Sequence, residues 1–144
     1  MFTLLAKNLN YGEGPRWHDN KLWFSDFFQH AVMTVDHSGK IEKIVEIPNQ
    51  PSGLGWLPNG DLLIVSMLDR KIMKFSNNVL SLHSDLSDLT PFRCNDMVVD
   101  KDGHAYVGNF GSLHHSKDVK PTCLIHVDPD GKAKIVATKL DFPN

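Results

Sequence analysis

The chain has 144 residues, 41% of them hydrophobic and 22% charged, with a formal net charge of −2. That balance offers no basic field for nucleic acid or anionic lipid. No apolar run approaches the roughly 20 residues a helix needs to cross a bilayer. Residues 1–8 are too short and too polar a stretch for a secretory signal. Cys94 and Cys123 lack metal-type spacing, so free buried thiols and a cytoplasmic setting are expected.

Read in chain order, the sequence repeats itself. A first unit, about residues 13–47, opens on Glu13-Gly14-Pro15-Arg16-Trp17 and turns at His18-Asp19-Asn20-Lys21. It continues through Leu22-Trp23-Phe24 and Val32-Met33-Thr34-Val35, turns again at His37-Ser38-Gly39, and leaves on Ile41–Ile47. A second unit, about 52–86, opens on Ser52-Gly53-Leu54-Gly55-Trp56, turns at Pro58-Asn59-Gly60-Asp61, and continues through Leu62-Leu63-Ile64-Val65 and Ile72-Met73-Lys74-Phe75. A third, about 95–140, opens on Asn95-Asp96, turns at Lys101-Asp102-Gly103-His104, and runs through Ala105-Tyr106-Val107. A longer insert then precedes Leu124-Ile125-His126-Val127 and the turn Pro129-Asp130-Gly131.

Each unit therefore reads as strand, turn, strand, loop, strand, turn, strand. The turns carry the Asn, Asp and Gly that tight hairpins demand. The second strands are apolar on both faces, as strands between stacked sheets must be. The outer strands alternate. No helical periodicity competes, so the fold class is all-β. The openings at Glu13, Ser52, Asn95 and Asn144 lie 39, 43 and 49 residues apart, the period of propeller blades. Residues 1–144 thus make one part of a single propeller, about three four-stranded blades. The Asp-rich turns Asp100–Gly103 and Asp128–Gly131 superficially suggest calcium loops, but they lack the distal Glu and flanking helices of such motifs.

Equivalent positions of successive blades ring a propeller's central channel. Glu13, Ser52, Asn95 and Asn144 are all oxygen-bearing, and all fall where an innermost strand begins. One carboxylate and two carboxamides make a hard donor set that suits calcium, magnesium or manganese. Zinc more usually recruits His or Cys. A hard cation at a tunnel mouth would support hydrolysis of an ester or lactone.

Several pieces carry a resemblance: Gly12-Glu13-Gly14-Pro15-Arg16-Trp17, Leu22-Trp23-Phe24-Ser25-Asp26, Gln50-Pro51-Ser52-Gly53-Leu54, Arg93-Cys94-Asn95-Asp96 with Val99-Asp100, and Phe142-Pro143-Asn144. In this order the sequence resembles the regucalcin/gluconolactonase family, also called the senescence-marker-protein, gluconolactonase and luciferin-regenerating-enzyme group. The resemblance covers nearly the whole chain. It implies a six-bladed propeller that binds one divalent cation, often calcium or zinc, and hydrolyses sugar lactones.

It further implies that Glu13 and Asn144 bind the metal, and that Asn95 contacts substrate or metal-bound water. A further aspartate ligand is expected beyond residue 144. These residues alone are therefore expected to be inactive. Ser52 and Arg16 are the remaining substrate-side candidates, and the expected partner is a small lactone. A non-catalytic binding or scaffold propeller is the competing reading.

Other residues are expected to serve structure. Alternation along a strand points Asp96 away from Asn95, where it would order the neighbouring backbone. Asp26, Ser66 and Asn109 end the second strands and read as structural hydrogen-bonders. Trp17 and Trp56 read as packing between blades, as does Phe27-Phe28. His114-His115, in the polar insert, read as solvated loop residues or part of a lid.

Overall fold

The computed structural model describes residues 4–113 and 118–144; His114 and His115 lie outside the described residues. Its elements are all strands: β1 (Gly12–His18), β2 (Lys21–Asp26), β3 (Ala31–Val35), β4 (Ile41–Glu46), β5 (Pro51–Trp56), β6 (Leu62–Ser66), β7 (Lys71–Ser76), β8 (Val79–Asp85), β9 (Cys94–Val99), β10 (Ala105–Asn109), β11 (Thr122–Val127) and β12 (Ala133–Leu140). They form three four-stranded antiparallel sheets, β1–β4, β5–β8 and β9–β12, each a simple meander. Innermost strand β5 packs between β1 and β9. These are three consecutive blades of a β-propeller.

Two of the three apolar clusters lie between blades. Blades 1 and 2 meet through Val32, Ile47, Leu54, Leu62 and Ile64, with Trp23, Trp56 and Phe75 packed against them. Blades 2 and 3 meet through an aliphatic cluster that includes Leu63, Val65, Ile72, Met97, Val107 and Ile125. Cys94 and Cys123 are free thiols buried in that cluster, and burial pushes the Cys94 thiol up to about 12. The third cluster, Phe24, Ala31, Met33 and Val35, lies on the far face of blade 1, with Ala6 of the N-terminal segment packed against it.

Three hairpin turns share one device. Asp36 Oδ1 accepts from Ser38 N (2.8 Å) and Lys40 N (3.1 Å). Asp100 Oδ1 accepts from Asp102 N (2.9 Å) and His104 N (3.0 Å). Asp128 Oδ1 accepts from Asp130 N (3.0 Å) and Lys132 N (2.9 Å). These carboxylates are spent on their own backbone, which is the chemistry of a side-chain-closed turn. It is a different arrangement from a calcium loop.

Two packing expectations are corrected. Trp17 is 57% exposed and tilts against His37. Trp56, at the same register position in blade 2, stacks on His18 of blade 1. The same side of β1 faces no blade in this chain, so Trp17 has no such neighbour. Phe27 and Phe28 do not pack between blades either. Phe27 stacks on Tyr11 of its own blade, and Phe28, 61% exposed, meets that ring edge-on.

Candidate functional site

The three innermost strands carry the same irregularity at the same place. The register slips by one residue between Glu13 and Arg16, between Pro51 and Leu54, and between Cys94 and Met97. Each slip is a β-bulge, which bends a strand and re-aims the side chains around it. In blade 1 the bulge contains Gly14 with φ +57°, a left-handed conformation that favours glycine. Glu13, Ser52 and Asn95 all sit at these bulges.

The bulges let the blades approach backbone to backbone. A Cβ at Gly14 would lie 2.9 Å from Ser52 O, and one at Gly53 would lie 2.3 Å from Met97 N. Ser25 Oγ donates to Ser52 O at 2.6 Å, tying blade 1 to blade 2. Ser52 is itself buried, and its Oγ has no partner among the described residues.

Asn95 is 3% exposed, and its Nδ2 donates to Asn144 Oδ1 at 2.9 Å. That pairing depends on Gly108, where a Cβ would fall 2.0 Å from Pro143 O. Only a bare backbone lets the Pro143-Asn144 segment lie this close to β10. Two of the four site positions are thereby brought into direct contact.

Asp96 and Asn95 engage different partners. Asp96 does order neighbouring backbone, since Met97 N donates to its Oδ1 at 2.7 Å. It also binds Arg16 Nη2, with 2.9 and 3.0 Å to its two oxygens, and the same nitrogen donates to Met97 O at 2.7 Å. This clasp runs from blade 1 to blade 3, past Gly53. Sequence reasoning missed it because Arg16 and Asp96 are 80 residues apart in the chain. The signal was present in Gly53, the one small residue that leaves room. Arg16, Asp96, Met97, Tyr106, Leu124 and Asn144 line a cleft of about 400 Å³.

Glu13 stands apart from the carboxamide pair. Its Oε1 accepts from Gly14 N at 3.3 Å, and it lines a separate, largely apolar hollow of about 350 Å³ with Leu4, Leu5, Leu9, Leu22 and Phe24. Among the described residues no three His, Cys, Asp or Glu side chains cluster as a metal site. The donor set of Glu13, Asn95 and Asn144 fits a hard cation in chemistry, and the Gly108 cradle holds two of its three members together.

The second-strand ends are structural in their contacts. Asp26 accepts from Asn10 N, Tyr11 N and Gln29 N at 2.8 to 3.1 Å and from Gln29 Nε2 at 2.8 Å. Burial is the largest single influence on its carboxyl and pushes it up, but these donors together hold it below the usual carboxylate range. Ser66 Oγ donates to Asp69 at 2.5 Å. Asn109 donates to Cys123 O at 2.8 Å and accepts from Thr122 Oγ1.

Three stacked meanders, each with a bulge at the same place in its innermost strand, define part of a β-propeller. The family model described as "SMP-30/Gluconolactonase/LRE-like region" matches residues 11–144, and the chain belongs to that family. Its fold is similar to a calcium-binding protein, regucalcin, from Agrobacterium tumefaciens, at 21% identity over 93% of this chain and 45% of that one, TM-score 0.73. It is also similar to a gluconolactonase from Xanthomonas campestris, at 19% identity over 97% and 51%, TM-score 0.76. A nidogen/laminin complex supplies a third likeness, at 16% identity over 92% and 51%, TM-score 0.68. The chain spans about half the length of the structures it matches. Among the described residues no helix is long and apolar enough to cross a membrane.

Proposed function

We propose that this chain supplies three blades of a metal-dependent hydrolase of sugar lactones or related cyclic esters. The observation that carries the reading is the Asn95–Asn144 contact at 2.9 Å, which joins two oxygen-bearing ring positions 49 residues apart. Family membership supports it.

In this reading Glu13 and Asn144 give a carboxylate and a carboxamide oxygen to one divalent cation. Calcium is the first choice, with zinc, magnesium and manganese as alternatives. Such an ion supplies Lewis-acid stabilisation of the oxyanion that develops when an ester carbonyl is attacked. Asn95 donates through Nδ2 to Asn144 and so holds its own Oδ1 toward the substrate side, where it orients the lactone or the attacking water. The unpartnered Ser52 hydroxyl is a further substrate contact. Arg16 has its Nη2 committed to Asp96 and Met97 O, so it contributes positive charge to the cleft wall more than a free fork. The remaining ligand and the other half of the ring belong to the part of the relatives' length that this chain does not span. The assigned partner is a small molecule in a cytoplasmic setting.

The test is made on the complete ring. Glu13→Gln and Asn95→Ala are each expected to abolish cation-dependent lactone hydrolysis while circular dichroism shows the β fold retained. Full turnover in both variants overturns the assignment. The competing reading, a non-catalytic binding propeller, draws support from the nidogen/laminin likeness. Calcium titration separates the two. A bound ion at one hundred times its Kd adds about 2.7 kcal/mol of stability, and a scaffold without the site shows none.

A further inference from the structure

We infer that the groove between blades 1 and 2, at the hairpin-turn end, is a second binding site, built for a neutral saccharide. It lies at the far end of β5 from Ser52, beside the turn that joins Trp56 to Leu62. Its volume is about 550 Å³, within the usual span of small-molecule pockets.

The walls are aromatic and fixed. Trp23 and Trp56, from different blades, stand edge to face with centroids 5.4 Å apart and planes at 83°. Together they make a corner with two perpendicular surfaces. Trp23 is locked by its Nε1 hydrogen bond to His18 O at 3.1 Å. One face of Trp56 is covered by His18, with centroids 3.9 Å apart and planes at 15°. Trp56 Nε1 makes no hydrogen bond among the described residues, so this donor is free for a ligand. Phe75 completes the apolar side.

The rim is polar, and two different turns supply it. Asn59 and Asp61 come from the β5–β6 turn. Asn77 and Asn78 form the two-residue β7–β8 turn, both with positive φ (50° and 63°). The space where a Cβ would stand at Gly60 is open, with nothing within 4 Å, so nothing from the protein fills the mouth. Asp61 is held below the usual carboxylate range, first by a hydrogen bond from Ser76, against burial, with Asn59 and Lys74 adding to it. It is therefore an ionised acceptor. Lys74 Nζ, 3.9 Å away, balances its charge.

These features select one ligand class. Rigid aromatic surfaces take the apolar C–H faces of a sugar ring, and an indole N–H adds a directed donor. Carboxamides and a carboxylate satisfy hydroxyl groups that both donate and accept. An anion would meet Asp61, and a purely apolar ligand would leave the Asn and Asp rim desolvated at a cost. The site owes nothing to the lactonase reading, because none of Glu13, Ser52, Asn95 or Asn144 takes part.

The experiment titrates the full chain with maltose, cellobiose and chitobiose. Binding is followed by tryptophan fluorescence and by saturation-transfer NMR. At least one sugar is expected to give a saturable response. Asp61→Ala and Asn78→Gly should each weaken it by about tenfold or more. Asn78→Gly keeps the turn, because glycine takes positive φ freely, so its loss of binding cannot be ascribed to unfolding. Glu13→Gln and Asn95→Ala should leave the response intact. A straight-line response to all three sugars overturns the proposal. So does binding that survives both groove variants, or binding that disappears in Glu13→Gln or Asn95→Ala.

Discussion

The two ends of the blades are built in opposite ways. At the end bearing Ser52 and Asn95, the blades touch through backbone. Gly53 abuts Met97 N, Gly14 abuts Ser52 O, and hydrogen bonds run from blade to blade. At the other end three hairpin turns are closed by their own side chains, those of Asp36, Asp100 and Asp128. The aromatics between blades there leave a groove. The first end cannot change in one blade without moving its neighbour. The second carries one such approach, where a Cβ at Gly131 would lie 2.2 Å from His83 O, and is spaced elsewhere by side chains. A site that needs donors from several blades in fixed relation belongs at the first end.

A pair of glycine substitutions tests this contrast most sharply. Gly53→Ala places a Cβ 2.3 Å from Met97 N and 2.8 Å from Asp96 C, both backbone atoms that cannot step aside. It should destabilise the protein by roughly 3 kcal/mol, read from urea unfolding followed by tryptophan fluorescence. Gly60→Ala meets no atom within 4 Å but must hold φ at +89°, and should cost about 1 kcal/mol. Equal costs would break the comparison.

A smaller effect is expected from the clasp between blades 1 and 3. The Arg16 and Asp96 side chains are 28% and 21% exposed, so solvent screens the pair in part. A double-mutant cycle with Arg16→Met and Asp96→Asn should return a coupling on the order of 1 kcal/mol. A coupling of zero would mean that this ion pair adds nothing to the packing that already joins the blades.

The smallest effect belongs to the turns and is read as a pH dependence. Asp36, Asp100 and Asp128 are held below the usual carboxylate range, first by the Ser38 hydroxyl, the His104 N–H and the Lys132 N–H respectively. A folded-state pKa below the unfolded one stabilises above the unfolded value, near 3.9. That stability is lost as pH falls through the folded value. The urea midpoint should therefore drop on acidification below about pH 4. Replacing all three residues with Asn should make that drop shallower, and the remainder belongs to the other carboxyls lowered in the same sense, Asp26, Glu42, Glu46, Asp61 and Asp85.

Much of the fold was legible because its cause is local. The turns at Asn59-Gly60 and Asp102-Gly103, and the doubly apolar runs such as Leu62–Val65, specify strands and hairpins within a few residues of chain. The site was legible in part. Glu13, Ser52 and Asn95 stand out by their period, and the structure sets each at a bulge. The Asp96–Arg16 clasp was not legible, because its two members lie 80 residues apart and meet only through blade packing. Trp17 and Trp56 carry the same sequence signal and meet different fates, since burial depends on whether a neighbouring blade is there.

The sequence by itself thus determined that this chain is a set of antiparallel four-stranded units repeating along the chain, with oxygen-bearing residues where each unit opens. Periodicity and turn chemistry act over short distances, and they are written in consecutive residues. Only the tertiary structure decided which of those residues meet. It joined Asn95 to Asn144 over Gly108, stretched Arg16 across Gly53 to Asp96, and set Trp23 against Trp56. Each of these contacts depends on how closely two backbones approach, a distance that blade packing sets and no run of neighbouring residues encodes.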